Sequence, residues 1–373
     1  MTKVCHMTSA HQALDDRVFC KECVSLVKNG YETYLITQGE SQIVDGVHII
    51  GIGTMPTSRL SRMTSWSKEV YEKALEVDAD IYHFHDPELL PYGVKLKRKG
   101  KIVIFDSHER YTEQLKSKPY LPAWITRIIA KLYGLYEKHA LKIIDAVIFP
   151  CTIEGKNPFL GMCDNVAIIS NYSILDEFYN LYEEGIEKKS NSVCYVGGLT
   201  ESRGIMNDVK ASYKANATLN LAGEFSPESF GELVKNSKEF KCVKYLGQIN
   251  RKEIREILQK SQIGVCTLLN SGQYFKIDTF GIKVFEYMAM GLPVIVSNTR
   301  YGIDFINKYK VGICVDPDNV DEIAKAIRYI LDNPEEAKVM GENGRKAIKN
   351  EFNWSVEEKK LFDLYNKLLE EKA

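Results

Sequence analysis

The sequence predicts an α/β protein made of two doubly wound parallel-sheet domains facing across a cleft. Three observations carry this. The 373 residues exceed a typical domain of about 150, so two domains fit and three are the limit. Short β-branched or aromatic runs alternate with amphipathic stretches along the whole chain, the pattern of parallel sheets covered by helices. The alternation lapses once, between Asn171 and Asn191, into a polar stretch that is acidic (Glu183, Glu184, Glu187) and then basic (Lys188, Lys189), as a linker would be.

Element by element, the first half suggests strands at Val4–Met7, Tyr31–Thr37, Ile81–His85, Ile102–Phe105, Ala146–Phe149 and Ala167–Ile169. Helices fall at Arg17–Lys28, Trp66–Val77, Pro91–Arg98 and Trp124–Lys142, with Asn29-Gly30 as a helix-to-strand turn. After the lapse, strands are expected at Val193–Val196, Thr218–Leu221, Val243–Tyr245, Ile263–Thr267, Val294–Val296 and Ile313–Val315. Helices follow at Asn207–Lys214, Lys252–Gln259, Lys283–Met290, Val320–Asp332 and Glu335–Lys349. The domains therefore read as 1–170 and 192–352 around a linker at 171–191, with residues 353–373 closing the chain as a helix. In such folds ligands bind outside the carboxyl ends of the strands.

Composition excludes several classes. Lys and Arg total 49 against 50 Asp and Glu, and 45% of residues are hydrophobic, so the chain is neither disordered nor a nucleic-acid-binding polycation. Nine cysteines scattered from Cys5 to Cys314 read as reduced thiols, and Cys20 and Cys23 share a helix face that packs inward. No apolar run nears the roughly 20 residues that span a bilayer. Asp15, Asp16 and Arg17 interrupt the place of a signal peptide's apolar stretch, which suggests a cytoplasmic address. Asp78-Ala79-Asp80 reads as a helix-to-strand turn and not as a metal site.

Two segments carry the chemistry. In Asp278-Thr279-Phe280-Gly281-Ile282-Lys283-Val284-Phe285-Glu286 a glycine precedes a helix, and Lys283 and Glu286 lie three apart on it. The free amides of that helix end suit a phosphate. In Tyr195-Val196-Gly197-Gly198-Leu199-Thr200-Glu201-Ser202-Arg203-Gly204 a strand opens into a glycine loop with a cation. Together these resemble the donor-binding motifs of family-4 retaining glycosyltransferases of the GT-B fold. The resemblance runs over nearly the full chain, down to Phe352-Asn353-Trp354, and implies two Rossmann-like domains with the final helix crossing back onto the first.

By that resemblance Glu286 holds the ribose hydroxyls, Asp278 the donor sugar and Arg203 the pyrophosphate. Phe280, Gly281 and the glycines Gly197 and Gly198 complete the grip. Asp278 stands where the family has glutamate, and Gly198 where it has a second arginine, so Lys283 is expected to supply the missing charge. Gly223 and the main chain at Gln248 and Ile249 are expected at the nucleotide base, whose identity stays open. His108, closing the strand Ile102–Phe105, matches the family's histidine at the reaction centre. His11, Asp16, Arg17 and His85 are acceptor-side candidates. His83 and His85 project to one side of their strand and are read as polar cleft lining, since no further ligands accompany them in sequence.

The implied activity is sugar transfer from a nucleotide-diphosphate donor to a hydroxyl acceptor with retention, without metal or cofactor, in the assembly of a lipid-linked or polysaccharide intermediate. A nucleotide-sugar 2-epimerase and a non-catalytic nucleotide-sugar or glycan-binding module are the alternatives. Finally, Lys95, Lys97, Arg98, Lys99 and Lys101, then Lys116, Lys118, Arg127, Lys131, Lys138 and Lys142 among Tyr120, Leu121, Trp124, Ile128 and Leu132, suit the inner face of an anionic membrane. The competing reading is an ordinary domain helix whose apolar stripe is core.

Overall fold

A computed structural model describes residues 1–116, 122–270 and 275–372. The chain divides into two compact units, Met1–Asn171 with Glu357–Ala373, and Tyr172–Val356.

The first unit is an eight-stranded sheet of β1 (Lys3–Met7), β2 (Glu32–Thr37), β3 (Gln42–Val44), β4 (Val47–Gly51), β5 (Ile81–Phe84), β6 (Ile102–Asp106), β7 (Ala146–Phe149) and β8 (Asn165–Ile168). Its order is β3-β4-β2-β1-β5-β6-β7-β8, parallel except for β3 against β4. The inner strands are buried on both faces, and their Val, Ile and Phe residues form the core. The β3–β4 hairpin was not expected. It turns at Asp45-Gly46, both with positive φ (47° and 80°), the conformation of a two-residue hairpin turn.

The helix after β1 winds with i→i+5 bonds over Asp16–Cys23 and continues as Val24–Lys28. Asp15 caps it, accepting from the amides of Arg17 and Val18 at 2.9 Å each. Val18, Phe19 and Cys23 pack on Leu35, Val47 and Ile49, and none of the nine cysteines forms a disulfide. The wide winding puts Arg17 and Glu22, five apart, on one inward face.

The second unit is a wholly parallel sheet of β9 (Ser192–Val196), β10 (Thr218–Ala222), β11 (Val243–Gly247), β12 (Ile263–Cys266), β13 (Val294–Ser297) and β14 (Gly312–Val315), in the order β11-β10-β9-β12-β13-β14. The order in which successive strands are laid down reverses between the parallel neighbours β9 and β12, and in the first sheet between β1 and β5. Doubly wound sheets place their ligand crevices at the carboxyl ends of such pairs. Two unexpected helices, Glu228–Lys235 and Arg300–Tyr309, join those read from sequence. Thr299 caps the latter through the Gly302 amide at 2.9 Å.

The expected linker at 171–191 is corrected at its start. Tyr172 and Phe178 are buried in the second unit's core, and the Tyr172 ring lies 4.7 Å from that of Phe285. Apolar side chains tie this stretch down despite its polar composition. The last helix, Trp354–Lys372, belongs to the first unit from Glu357 onward. There Glu357 accepts from the Ser170 amide at 2.8 Å, and Glu358 from the Ser25 hydroxyl at 2.7 Å.

Candidate active site

At the carboxyl ends of β9, β10 and β11 the main chain itself forms a cavity of about 270 Å³, lined by Gly197, Gly198, Gly223, Glu224, Gln248 and Ile249 with Ile254 beneath. Bare backbone is obligatory here. Gly223 has φ 137°, and a β-carbon on it would lie 1.9 Å from the Gly197 carbonyl. Gly197 has φ 130°, and a β-carbon there would lie 2.6 Å from the Lys283 ammonium. Both loops are held in place by ladder-like bonds, from the Gly197 amide to the Ala222 carbonyl (3.0 Å) and from the Gly223 amide to the Gly247 carbonyl (2.8 Å).

Two cations meet at this glycine turn. Arg203 reaches the Gly198 carbonyl with Nη1 at 3.4 Å. Lys283, from the first turn of the helix Ile282–Ala289, donates to the Tyr195 hydroxyl at 2.6 Å. Burial pushes the Lys283 ammonium down to about 8, and neighbouring Arg203 pushes the same way, although Cys266 and Asp208 oppose. Asp208 is fully buried. Its Oδ1 accepts from Thr267 at 2.6 Å while Oδ2 has no hydrogen-bond partner among the described residues, and burial lifts its carboxyl to about 8. The cationic charge at the turn is therefore largely uncompensated near neutrality, ready for an anion.

Gly281 begins the helix Ile282–Ala289 with no capping side chain among the described residues, so the first-turn amides point outward. Phe280 anchors the turn against Tyr301 and Phe305, with ring centroids 5.0 and 5.1 Å away. Glu286, 3% exposed, receives Arg251 Nη1 at 2.7 Å. Asp278 receives Arg300 Nη2 at 2.5 Å. Neither arginine was anticipated from sequence.

The first unit has its own cavity, of about 290 Å³, at the ends of β1, β5 and β6. His11, His85, Asp86 and His108 line it, with Arg62 and Glu88 paired at 3.0 Å on its wall. Asp86 accepts from the Thr8 hydroxyl and the Ser9 amide, both at 2.7 Å, stitching β5 to the loop after β1. The rings of His11 and His108 sit 4.9 Å apart, edge to face. Burial pushes the His11 imidazole down, but Asp15 at 3.0 Å, helped by Asp86, outweighs it and leaves the ring above its usual value. Burial dominates at His85, pushed down to about 4.

Comparison with known proteins gives the same picture. Residues 180–347 match the family described as glycosyl transferases group 1, and residues 17–157 match glycosyltransferase family 4. An uncharacterized glycosyltransferase of Methanocaldococcus jannaschii is 24% identical over 95% of this chain and 94% of its own. Among solved structures, a sucrose-phosphate synthase from Thermosynechococcus elongatus superposes with a TM-score of 0.76 at 18% identity, covering 99% of both chains. Anabaena HepE, solved in complex with UDP and glucose, gives 0.70 at 12% identity over 98% of this chain and 100% of its own. The chain is a GT-B glycosyltransferase.

The second unit of this glycosyltransferase brings Gly197, Gly198, Gly223, Gln248 and Ile249 to one cavity and sets Arg203 and Lys283 beside it. In the first unit His11, His85 and His108 converge. Two acceptor-side candidates lie elsewhere. Arg17, 5% exposed, turns inward and makes a forked pair with Asp106 at 2.8 and 3.1 Å. Asp16 bonds the Lys21 ammonium at 2.6 Å. Both sit on the i→i+5 helix, whose winding could not be read from a 3.6-residue pattern. His83 is likewise no cleft lining. It is wholly buried, and the expectation that it and His85 lack further ligands fails, because His6 and Glu22 converge on them. A roomier cavity of about 730 Å³, lined by Tyr182, Lys188 and Arg345, opens beside Gly291 and Pro293. Those residues precede β13, at the opposite end of the sheet from the glycine turn, so it is set aside as the site.

Proposed function

We propose that this glycosyltransferase moves a sugar from a nucleotide-diphosphate donor, bound by the second unit, to a hydroxyl of an acceptor bound at the first unit's histidine cavity, with retention at the anomeric carbon. The observation that carries the reading is the pairing of Arg203 and Lys283 at the bare Gly197-Gly198 turn, where the backbone admits a diphosphate and two cations face it. The UDP and glucose bound to the structurally similar Anabaena protein support this donor class.

In this scheme Glu286 takes the ribose hydroxyls and Gly223, Gln248 and Ile249 the base, while Asp278 faces the donor sugar. The bond from the anomeric carbon to the diphosphate oxygen breaks as that from the acceptor oxygen forms on the same face. The acceptor's proton passes to the departing diphosphate, so no side-chain nucleophile and no resident metal take part. The protein supplies electrostatics and alignment, with His108 on the wall of the acceptor cavity.

The helix Ala123–Leu141 supports a lipid-linked acceptor. Trp124, Ile128, Leu132 and Leu135 are 65, 51, 62 and 61% exposed, and exposed Arg127, Lys131 and Lys138 accompany them. The apolar stripe thus faces outward and is not core, as a helix lying in an anionic interface requires. Lys97 and Lys101 are instead spent on Asp145 and Asp78, at 2.5 and 2.6 Å, and Lys118, Tyr120 and Leu121 lie outside the described residues. No described helix is long and apolar enough to cross a membrane.

The test is turnover of a panel of nucleotide sugars with lipid-linked acceptors, followed by NMR of the product's anomeric centre. A product with the donor's anomeric configuration is expected. An inverted product, or epimerised donor without any transfer, overturns the reading.

A further inference from the structure

We propose that His6, Glu22, His83 and His85 form a binding site for one divalent transition-metal ion, best suited to zinc, in the interior of the first unit. The four side chains come from β1, the i→i+5 helix, β5 and the residue that follows it. The sheet register sets His6 beside His83, and the wide helical winding turns Glu22 down onto both.

Glu22 Oε2 stands 3.8 Å from His6 Nδ1, 3.9 Å from His83 Nε2 and 3.8 Å from His85 Nε2. His6 Nδ1 and His85 Nε2 are 3.0 Å apart. All four atoms lie within 4.8 Å of one another. Tetrahedral zinc with ligands at about 2.0–2.1 Å sets those ligands roughly 3.3–3.4 Å apart, between the 3.0 Å separation of His6 from His85 and the 3.8–3.9 Å separations to Glu22. Drawing Glu22 in by about half an ångström, with His83 following, would close the shell.

Two further observations point to a cation. All four residues are buried, none more than 3% exposed, yet Glu22 Oε2 and His83 Nε2 have no hydrogen-bond partner among the described residues. Such groups are rare in a folded interior unless something unseen satisfies them. The opposite edge of each imidazole is held, as outer-shell partners hold metal-binding histidines. The Tyr365 hydroxyl is 2.8 Å from His83 Nδ1 and 3.4 Å from His6 Nε2. Asp106 and His108 approach His85 Nδ1 at 3.5 and 3.3 Å.

Charge favours occupancy as well. Glu22 and Asp106 are both fully buried and share the Arg17 guanidinium, at 3.0 and 2.8 Å, leaving one carboxylate in excess. Either a metal ion or a proton shared between the two carboxyls balances it. The proton alone leaves His83 Nε2 without a partner, His6 and His85 bonding each other at 3.0 Å, whereas the ion uses all three imidazole nitrogens with one carboxylate oxygen. With no side chain open to solvent the site is closed, as structural zinc sites are. Its effect on the reaction would be to fix the ring of His85, whose other nitrogen faces His108 in the acceptor cavity.

The experiment uses the untagged full chain, freed of metal by a chelator, exposed to equimolar zinc and desalted. Elemental analysis is expected to find about one zinc per chain, with a thermal midpoint above that of the stripped protein. Glu22→Gln, which replaces a direct anionic ligand, should weaken zinc affinity by at least the roughly 10–100-fold that loss of an outer-shell partner costs. Because that change falls on a fully buried residue, zinc-edge X-ray absorption on the wild-type protein provides an independent readout, expected to show imidazole nitrogens and one oxygen at about 2.0–2.1 Å. Folded protein that takes up no stoichiometric zinc, leaving only the shared proton, overturns the proposal. So does bound zinc whose spectrum lacks an imidazole shell.

Discussion

Replacing Lys283 by methionine tests the donor site at its most specific point. The change keeps the buried stem and deletes the charge that lies within contact of the glycine turn. A unit charge about 4 Å from a phosphate oxygen contributes about 4 kcal/mol at an effective dielectric near 20. Arg203 remains and solvent screens part of the field, so the net loss in the transition state should be about 3–4 kcal/mol, or roughly 10²–10³ in kcat/KM. The fold should survive, because the Tyr195 hydroxyl keeps its bond to the Gly198 carbonyl at 3.2 Å and a partly desolvated ammonium is removed.

The assay is release of nucleoside diphosphate from whichever nucleotide sugar the protein turns over, with the thermal midpoint as a control. The pH profile adds a signature. Burial holds the free-enzyme ammonium at about 8, so it is charged below that pH and lost above it. Wild-type kcat/KM should therefore fall as pH rises through about 8, and Lys283→Arg should abolish that limb. Near-normal kinetics in Lys283→Met, or an unchanged alkaline limb in Lys283→Arg, would refute the assignment.

Further outcomes follow from individual contacts. Gly223→Ala, which would force a β-carbon to 1.9 Å from a backbone carbonyl at positive φ, should cost about 2–4 kcal/mol by urea denaturation. Arg251→Ala leaves buried Glu286 without its 2.7 Å partner, and since the arginine is about half exposed the expected stability loss is only about 1–2 kcal/mol, with weaker nucleotide binding by calorimetry. Asp208, raised by burial from 3.8 to about 8, is protonated in the fold and ionised in the unfolded chain between those values. Its contribution is complete below pH 3.8 and is lost as pH rises through about 8, so Asp208→Asn should flatten the stability profile across that window. Trp124→Ser with Leu132→Ser should abolish sedimentation with anionic vesicles at low salt while leaving the thermal midpoint unchanged.

Much of the fold was legible because parallel strands buried on both faces are written as continuous Val, Ile and Phe runs, and those runs fell on the observed strands of both sheets. The β3–β4 hairpin escaped despite its Asp45-Gly46 turn, because Gln42–Val44 is short, edge-placed and exposed and shows little alternation. The donor residues were legible as contiguous motifs around two glycine turns. The arginines that pair with Glu286 and Asp278 were not, since Arg251 lies 35 residues and Arg300 22 residues from its partner and only the packing of separate helices unites them. The same limit applied to Arg17 and Glu22. A helix wound i→i+5 faces different residues inward than the usual period implies, and no sequence signal announced that winding.

The central claim concerns where the diphosphate sits. The most direct measurement is a crystal structure of the protein with a nucleotide sugar or its nucleoside diphosphate. Both phosphorus atoms are expected beside Gly197 and Gly198, within hydrogen-bonding reach of the Arg203 guanidinium and the Lys283 ammonium, with the ribose at Glu286. A diphosphate bound at any other surface, or one at this turn with Arg203 and Lys283 directed away from it, would contradict the account.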